Sequence, residues 1–207
     1  MQVNPLFLFI CKVFLFLPLC YWSWYYLAEQ GTFLTVFFTK PLLQTIYPEL
    51  IADVQQSGHL IEVVANVIVP MQNVPQGTYA ELPVLVKPLK YSYSLPLTLA
   101  LILASPIKPA KTLSCIIISI LIFIMIQIWG VSFESLKTLY FQAPPEVLLR
   151  YSPSVLETNV IALCYQLGYL MFPSVTPIII WVLFYQEYIL QLTSIIGNKR
   201  IGKKRKK

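Results

Sequence analysis

The sequence predicts an α-helical integral membrane protein with about four transmembrane helices and a small extracytoplasmic segment that holds an interfacial helix and a β-hairpin. Three observations carry that expectation. The 207 residues are 57% hydrophobic and only 12% charged, about half the charge of an ordinary soluble domain. The mean hydropathy is +0.69. The apolar residues gather in long runs near 5–28, 91–106, 112–131 and 159–186, and a bilayer core about 30 Å thick calls for about 20 apolar residues in a helix.

The first run, residues 5–28, contains "VFLFLPLCYWSWYYLA". No small-x-small cleavage site follows it, so it reads as an uncleaved anchor and not a signal peptide. Trp22, Trp24, Tyr25 and Tyr26 suit an aromatic belt at its outer end. Lys12 interrupts the inner half, where a lysine reaches the headgroups by snorkelling. Residues 91–131 read as a transmembrane hairpin whose inner turn is 106–111, "PIKPAK". Its first limb is short, about 24 Å at the helical rise, so Lys90, Tyr91 and Tyr93 must reach the interface. Residues 159–190 form the fourth span, with kinks expected at Pro173 and Pro177.

Charge sets the expected orientation. Lys108 and Lys111 stand in the 106–111 turn without an acid, and "NKRIGKKRKK" in the tail 191–207 has seven basic residues and none acidic. Short cytoplasmic segments collect Lys and Arg. The turn and tail therefore lie on one side, the cytoplasm of a bacterial inner membrane, with residues 29–90 and the loop 132–158 outside and both termini inside. The same basic tail is attracted to anionic headgroups. It offers no groove or stacking platform for nucleic acid.

Residues 29–90 begin with "FLTVFFTKPLLQTIYPELI", where Phe33, Leu34, Phe37, Phe38, Leu42, Leu43 and Ile46 recur at helical spacing between polar residues. An interfacial helix with a break near Pro41 follows. "HLIEVVANVIVP" and "AELPVLVKPL" then flank the turn-prone "MQNVPQGTY" and read as a hairpin. Pro83 and Pro88 confine the second strand to an edge. Two strands alone are marginally stable, so the segment leans on the membrane or on a partner.

The residues offer little chemistry. His59 is the single histidine, and Cys11, Cys20, Cys115 and Cys164 all fall in expected spans, which leaves no disulfide framework outside. Metalloprotease, hydrolase-elbow and phosphate-loop motifs are absent, and no cofactor or metal set is recognisable. The arrangement His59, Arg150, Cys164 is the one constellation to weigh as a thiolate transpeptidase. A cysteine inside an apolar helix is ordinarily inert packing, and the enzyme class is set aside on that ground.

"YSYSLPLTLALILASPIKPAKT" and "WGVSFESLKTLYFQ", with the layout of one anchor, a small outer segment, an inner-turn hairpin and a final span, resemble the exosortase H-associated membrane proteins over most of the chain. The resemblance implies an accessory to a bacterial inner-membrane protein-sorting system. Exosortases themselves carry Cys, Arg and His in that chain order, whereas the order here is His59, Arg150, Cys164.

A non-catalytic accessory or assembly subunit is thus the favoured reading. The alternative is a small transporter or channel subunit, drawing on Cys115, Ser119, Gln127, Gln166, Gly168, Tyr169, Ser174 and Thr176 as a polar path; polar glue between helices accounts for these residues as well. Residues 29–90 and 132–158 are expected to form a docking surface for an integral membrane partner, which the resemblance implies is an exosortase, with Val64, Val84 and Leu148 as candidate contacts. "LYFQAPPEVLLRY" adds exposed apolar material of the kind that marks a contact site.

Overall fold

Helix α1, Pro5–Tyr26, is a 22-residue apolar helix that carries Pro18 in its interior. Leu27 alone separates it from α2, Ala28–Ile46. Strands β1 (Ile51–Ser57), β2 (Leu60–Pro70) and β3 (Tyr79–Val86) follow, then a 3-10 turn at Pro88–Tyr91, α3 (Leu95–Ala104) and α4 (Pro109–Phe141). The chain ends with α5 (Val155–Gln166), a π-helical turn at Leu167–Met171 and α6 (Phe172–Lys204). The computed structural model describes residues 5–70, 79–106, 109–142 and 154–204. Three stretches are long and apolar enough to cross a membrane: Pro5–Tyr26, Pro109–Phe141 and Val155–Leu190.

The second expected span is shorter than its apolar run. Helix α3 has ten residues, about 15 Å at 1.5 Å per residue, half a hydrocarbon core. Prolines bound it. Pro96 occupies the first turn, where its missing N–H costs nothing. Pro106 then forces Ser105 out of the helical region, to φ −82° and ψ 130°.

The chain divides into two compact units. One comprises α1 as far as Tyr25, Ser94–Leu121 and Ser174 onward. In it the Phe9 ring stacks on Trp181 at 5.6 Å and meets Tyr188 edge-on at 5.8 Å. Trp181 Nε1 donates to Ser105 Oγ at 3.0 Å, while Ser105 Oγ donates to the Leu101 carbonyl at 2.8 Å. Buried Tyr185 departs from helical geometry (φ −123°, ψ 24°) and points its hydroxyl at the Ile102 carbonyl. The break in α6 is therefore at Tyr185. Pro177 sits inside the helix without one.

The second unit comprises Tyr26–Tyr93 and Ile122–Pro173. Its sheet has three antiparallel strands in the order β1-β2-β3, one more than the hairpin expected from sequence. Ser57 pairs with Leu60 across a two-residue turn that Gly58 enters at φ +60°, a left-handed conformation that glycine adopts without strain. Val54, Val63 and Val84 align across the three strands and are buried, as are the paired Ile61 and Val86. Pro83 lies in β3, an edge strand as expected. The segment 71–78, which carries the expected hairpin loop, lies outside the described residues.

Helix α2 runs unbroken through Pro41, against the expected break. It docks on β1 through Lys40, whose Nζ is 2.6 Å from Asp53 Oδ1, and through Gln44 Nε2, which donates to the Ala52 carbonyl at 2.8 Å. The Lys40 ammonium, then Gln55 and the Val54 N–H, hold the Asp53 carboxyl below the usual carboxylate range. A depressed folded-state pKa stabilises the fold above the unfolded value near 3.9, and that contribution is lost as pH falls through the lowered pKa. We expect Lys40→Met to lower the melting temperature of the detergent-solubilised protein near neutral pH by the equivalent of at most about 1 kcal/mol. The gap from wild type should close below about pH 4; a gap independent of pH would rule out this pairing as its source.

Candidate functional site: a charged and aromatic cluster on α4

Helix α4 has 33 residues, about 50 Å of helix, and so outruns the apolar run 112–131 that forms its first part. Glu134 stands just past that run. It receives two donors from the 3-10 turn: Lys90 Nζ forms an ion pair and hydrogen bond with Oε1, and Tyr91 Oη donates to Oε2 at 2.8 Å. Both charged side chains are mostly buried, at 28% and 16% exposure. Tyr91 is fully buried, and its hydroxyl is spent on the Glu134 carboxylate.

Tyrosines surround the lysine. Its Nζ lies 5.2, 5.9 and 5.7 Å from the ring centroids of Tyr91, Tyr165 and Tyr169, within cation–π range. Tyr165 and Tyr169 stack at 6.0 Å with a 4° interplanar angle, one helical turn apart. Lys137 covers Tyr165 from another side, 5.2 Å from its centroid. Tyr93 is exposed at the surface, whereas Tyr91, expected at the interface, is fully buried.

Two glycines let these elements approach. A Cβ on Gly130 would fall inside the Tyr91 ring. One on Gly168 would come within 2.9 Å of Trp129 Cδ1 and 3.5 Å of Gly130 Cα. Gly168 belongs to the π turn. Pro173 follows closely and has no N–H to return to the carbonyl four residues before it, so the irregular turn falls ahead of the proline and not at it. Trp129 Nε1 donates to the Cys164 carbonyl at 2.9 Å. One turn deeper, Gln127 Nε2 donates to Ser92 Oγ at 2.6 Å, and Thr35 Oγ1 lies 2.7 Å from Gln127 Oε1.

The residues weighed from sequence are placed apart in role. His59 sits in the β1–β2 turn with Nε2 3.9 Å from Glu29 Oε1. Cys164 lies in α5, and Arg150 lies outside the described residues. Val64 and Val84 are buried in the sheet, on β2 and β3; Leu148 lies outside the described residues. On β3 the exposed neighbour is Leu85, 59% accessible. Among the described residues no group of three or more His, Cys, Asp or Glu side chains is arranged to hold a metal ion. The arrangement on α4 is a brace: an ion pair, a phenol and stacked rings that tie the 3-10 turn, α4 and α5 together. Lys90 and Glu134 went unpaired in the sequence reading, although each stands beside the outer end of an expected span with opposite charge.

The family model for the exosortase H-associated membrane protein matches residues 3–188. The chain belongs to that family. The match takes in α1 through most of α6, and with them the Lys90–Glu134 brace of this exosortase H-associated chain. No curated protein and no solved structure matches it significantly.

The brace makes distinct predictions for three small substitutions. Gly130→Ala should destabilise by about 1–3 kcal/mol through overpacking against the buried Tyr91 ring. Tyr91→Phe, which keeps the ring and removes the donor to Glu134, should cost about 1–3 kcal/mol. Gly31→Ala in α2, where nothing lies within 4 Å of the added methyl, should be neutral or stabilising by up to about 1 kcal/mol. Thermal unfolding in one detergent separates Gly31→Ala from the other two; equal losses from Gly31→Ala and Gly130→Ala would contradict the packing described.

Proposed function

We propose that this protein is a non-catalytic accessory or assembly subunit of an exosortase-type protein-sorting system, multi-pass in the bacterial inner membrane. The family membership carries this reading, and the fold supports it: a three-stranded sheet built onto membrane helices, with Leu85 exposed on an edge strand. Segments 29–90 and 132–158 form the extracytoplasmic docking surface for an integral membrane partner. Since Val64 and Val84 are buried, side-chain contact on this surface falls to neighbours such as Leu85, and Val64 and Val84 take part through the strands that they shape. Leu148 remains the contact assigned to the 132–158 loop.

The proposed topology has four crossings, with helices at 5–28, within 91–131 (two) and at 159–190, an inner turn at 106–111 and a cytoplasmic tail at 191–207. Helix α3 supplies about 15 Å of the second crossing. The flank Tyr91–Ser94, wound in turns at about 2 Å per residue, and Ser105–Pro106, at up to about 3.3 Å per residue, supply about 15 Å more. The transporter reading has less support. Ser119 Oγ is spent within α4, on the Cys115 carbonyl at 2.6 Å, whereas Gln127 is bonded to Ser92 and Thr35 on other segments, as polar glue requires.

Two measurements test the reading. Reporters at Gln55 and Lys207 should fall on opposite sides of the membrane; the same side for both overturns the topology. A photoreactive residue at Leu85 or Leu148 in native membranes should capture an exosortase, and Cys164→Ala should leave that capture and the sorting phenotype unchanged. Loss of sorting in Cys164→Ala at normal protein abundance would return the enzyme reading.

A further inference from the structure

Helix α2 has its polarity inside out. Its buried residues are Ala28, Thr32, Thr35, Thr39 and Leu43, so three threonines face the protein. The large apolar side chains face away from it: Phe33 is 61% exposed, Phe37 63% and Phe38 51%, with Leu34, Leu42 and Ile46 also exposed. Water would select the opposite arrangement, at about 1.5–3 kcal/mol for each large apolar side chain left uncovered. Hydrocarbon selects this one. In lipid an apolar side chain gains nothing by turning inward, while a hydroxyl needs a partner inside the protein. Thr32 meets that need by donating to the Ala28 carbonyl at 2.9 Å. Thr35 shares its one proton between the Gly31 carbonyl at 2.9 Å and Gln127 Oε1 of α4 at 2.7 Å.

That last contact fixes a depth. Gln127 lies within the apolar run of α4, four residues before its end at Val131 and seven before Glu134. Along a helix that is about 10 Å below the Lys90–Glu134 pair. A charged pair marks the polar boundary, because hydrocarbon penalises charge. The middle of α2 is bonded to Gln127, so it sits about 10 Å beneath that boundary, at the deep end of the range for helices that lie in an interface.

We infer that the aromatic face of α2 is a lipid contact, seated among the acyl chains of the leaflet on the Glu134 side, with its threonine face turned to the protein. Two further features agree. The chain passes from the membrane-length helix α1 into α2 through Leu27 alone, which tethers the start of α2 to the bilayer. Between α2 and β1 a groove of about 880 Å³ opens, lined by apolar Phe33, Phe37 and Pro41 together with polar Lys40, Gln44 and Gln55. Its chemistry matches an acyl chain below a headgroup. This placement depends on α4 crossing a bilayer and not on the accessory role, so either can fail alone. The docking surface for a protein partner is then left to the sheet and the 132–158 loop.

The test is nitroxide accessibility in vesicles of phosphatidylethanolamine and phosphatidylglycerol. Labels are placed singly at Phe33, Phe37, Leu42 and Gln55 in the full chain, after Cys11, Cys20, Cys115 and Cys164 are replaced by alanine. Collision with oxygen should exceed collision with a water-soluble nickel complex several-fold at Phe33, Phe37 and Leu42, and the order should reverse at Gln55. Preference for nickel at the three α2 sites places them in water and overturns the inference. Shielding from both reagents means that protein covers the face, and overturns it equally. A second measurement needs no substitution: unaltered protein in vesicles carrying a photoactivatable acyl chain should acquire lipid adducts between Phe33 and Leu42. Adducts confined to the other helices would overturn the inference even if the labelled variants fail to fold.

Discussion

The side-chain amide of Gln127 is buried, where no solvent supplies its hydrogen bonds, and much of the unit around it is arranged to meet that requirement. Its nitrogen is used by Ser92, just before α3, and its oxygen meets Thr35 of α2. One residue of α4 thereby joins two segments that are remote in sequence. An unpaired polar group at that depth costs several kcal/mol, so the three side chains fix one another's register more firmly than apolar packing would. Apolar contacts among helices in lipid give no such preference, because lipid tails replace them at little cost.

Above this link the brace on Glu134 does a different task. The carboxylate is held by an ammonium and a phenol, and three tyrosine rings stand around the ammonium. Such a pair contributes less to net stability than to choosing a single arrangement. The close backbone approach at Gly130 and Gly168 is its steric counterpart: only residues without a Cβ admit the Tyr91 and Trp129 rings between the elements.

The membrane class, the first apolar helix, the long third and fourth apolar stretches and the β2–β3 hairpin were legible from hydropathy and strand periodicity. Strand β1 was not, because "IADVQQS" alternates weakly and its polar residues resemble a loop; the glycine at position 58 was the available signal. The length of α3 was overstated because hydropathy measures apolar content and not helix: Tyr91–Ser94 precede the helix, and Pro106 stops it at Ala104. The kinks assigned to Pro173 and Pro177 appear instead at the Leu167–Met171 turn and at Tyr185. A proline perturbs the turn preceding it, and a buried tyrosine can distort a helix with no proline at hand. The alternation in "FLTVFFTKPLLQ" was visible, but which face turned inward was not. Periodicity gives a stripe, and only the neighbouring Gln127 decides where its polar side goes. The charges of Lys90 and Glu134 lie 44 residues apart, beyond the reach of any local pattern.

The strands follow one another in space in the same order as in the chain, and β1 joins β2 through two residues. Such a meander needs only local loop closure, and contacts of short sequence separation form early. The sheet can therefore close from its own residues, without waiting for Gln127 or Glu134 of α4 to pack against its neighbours. Residues 51–86 contain no cysteine, and the free cysteines lie in helices α1, α4 and α5, so sheet assembly is indifferent to the redox state around it.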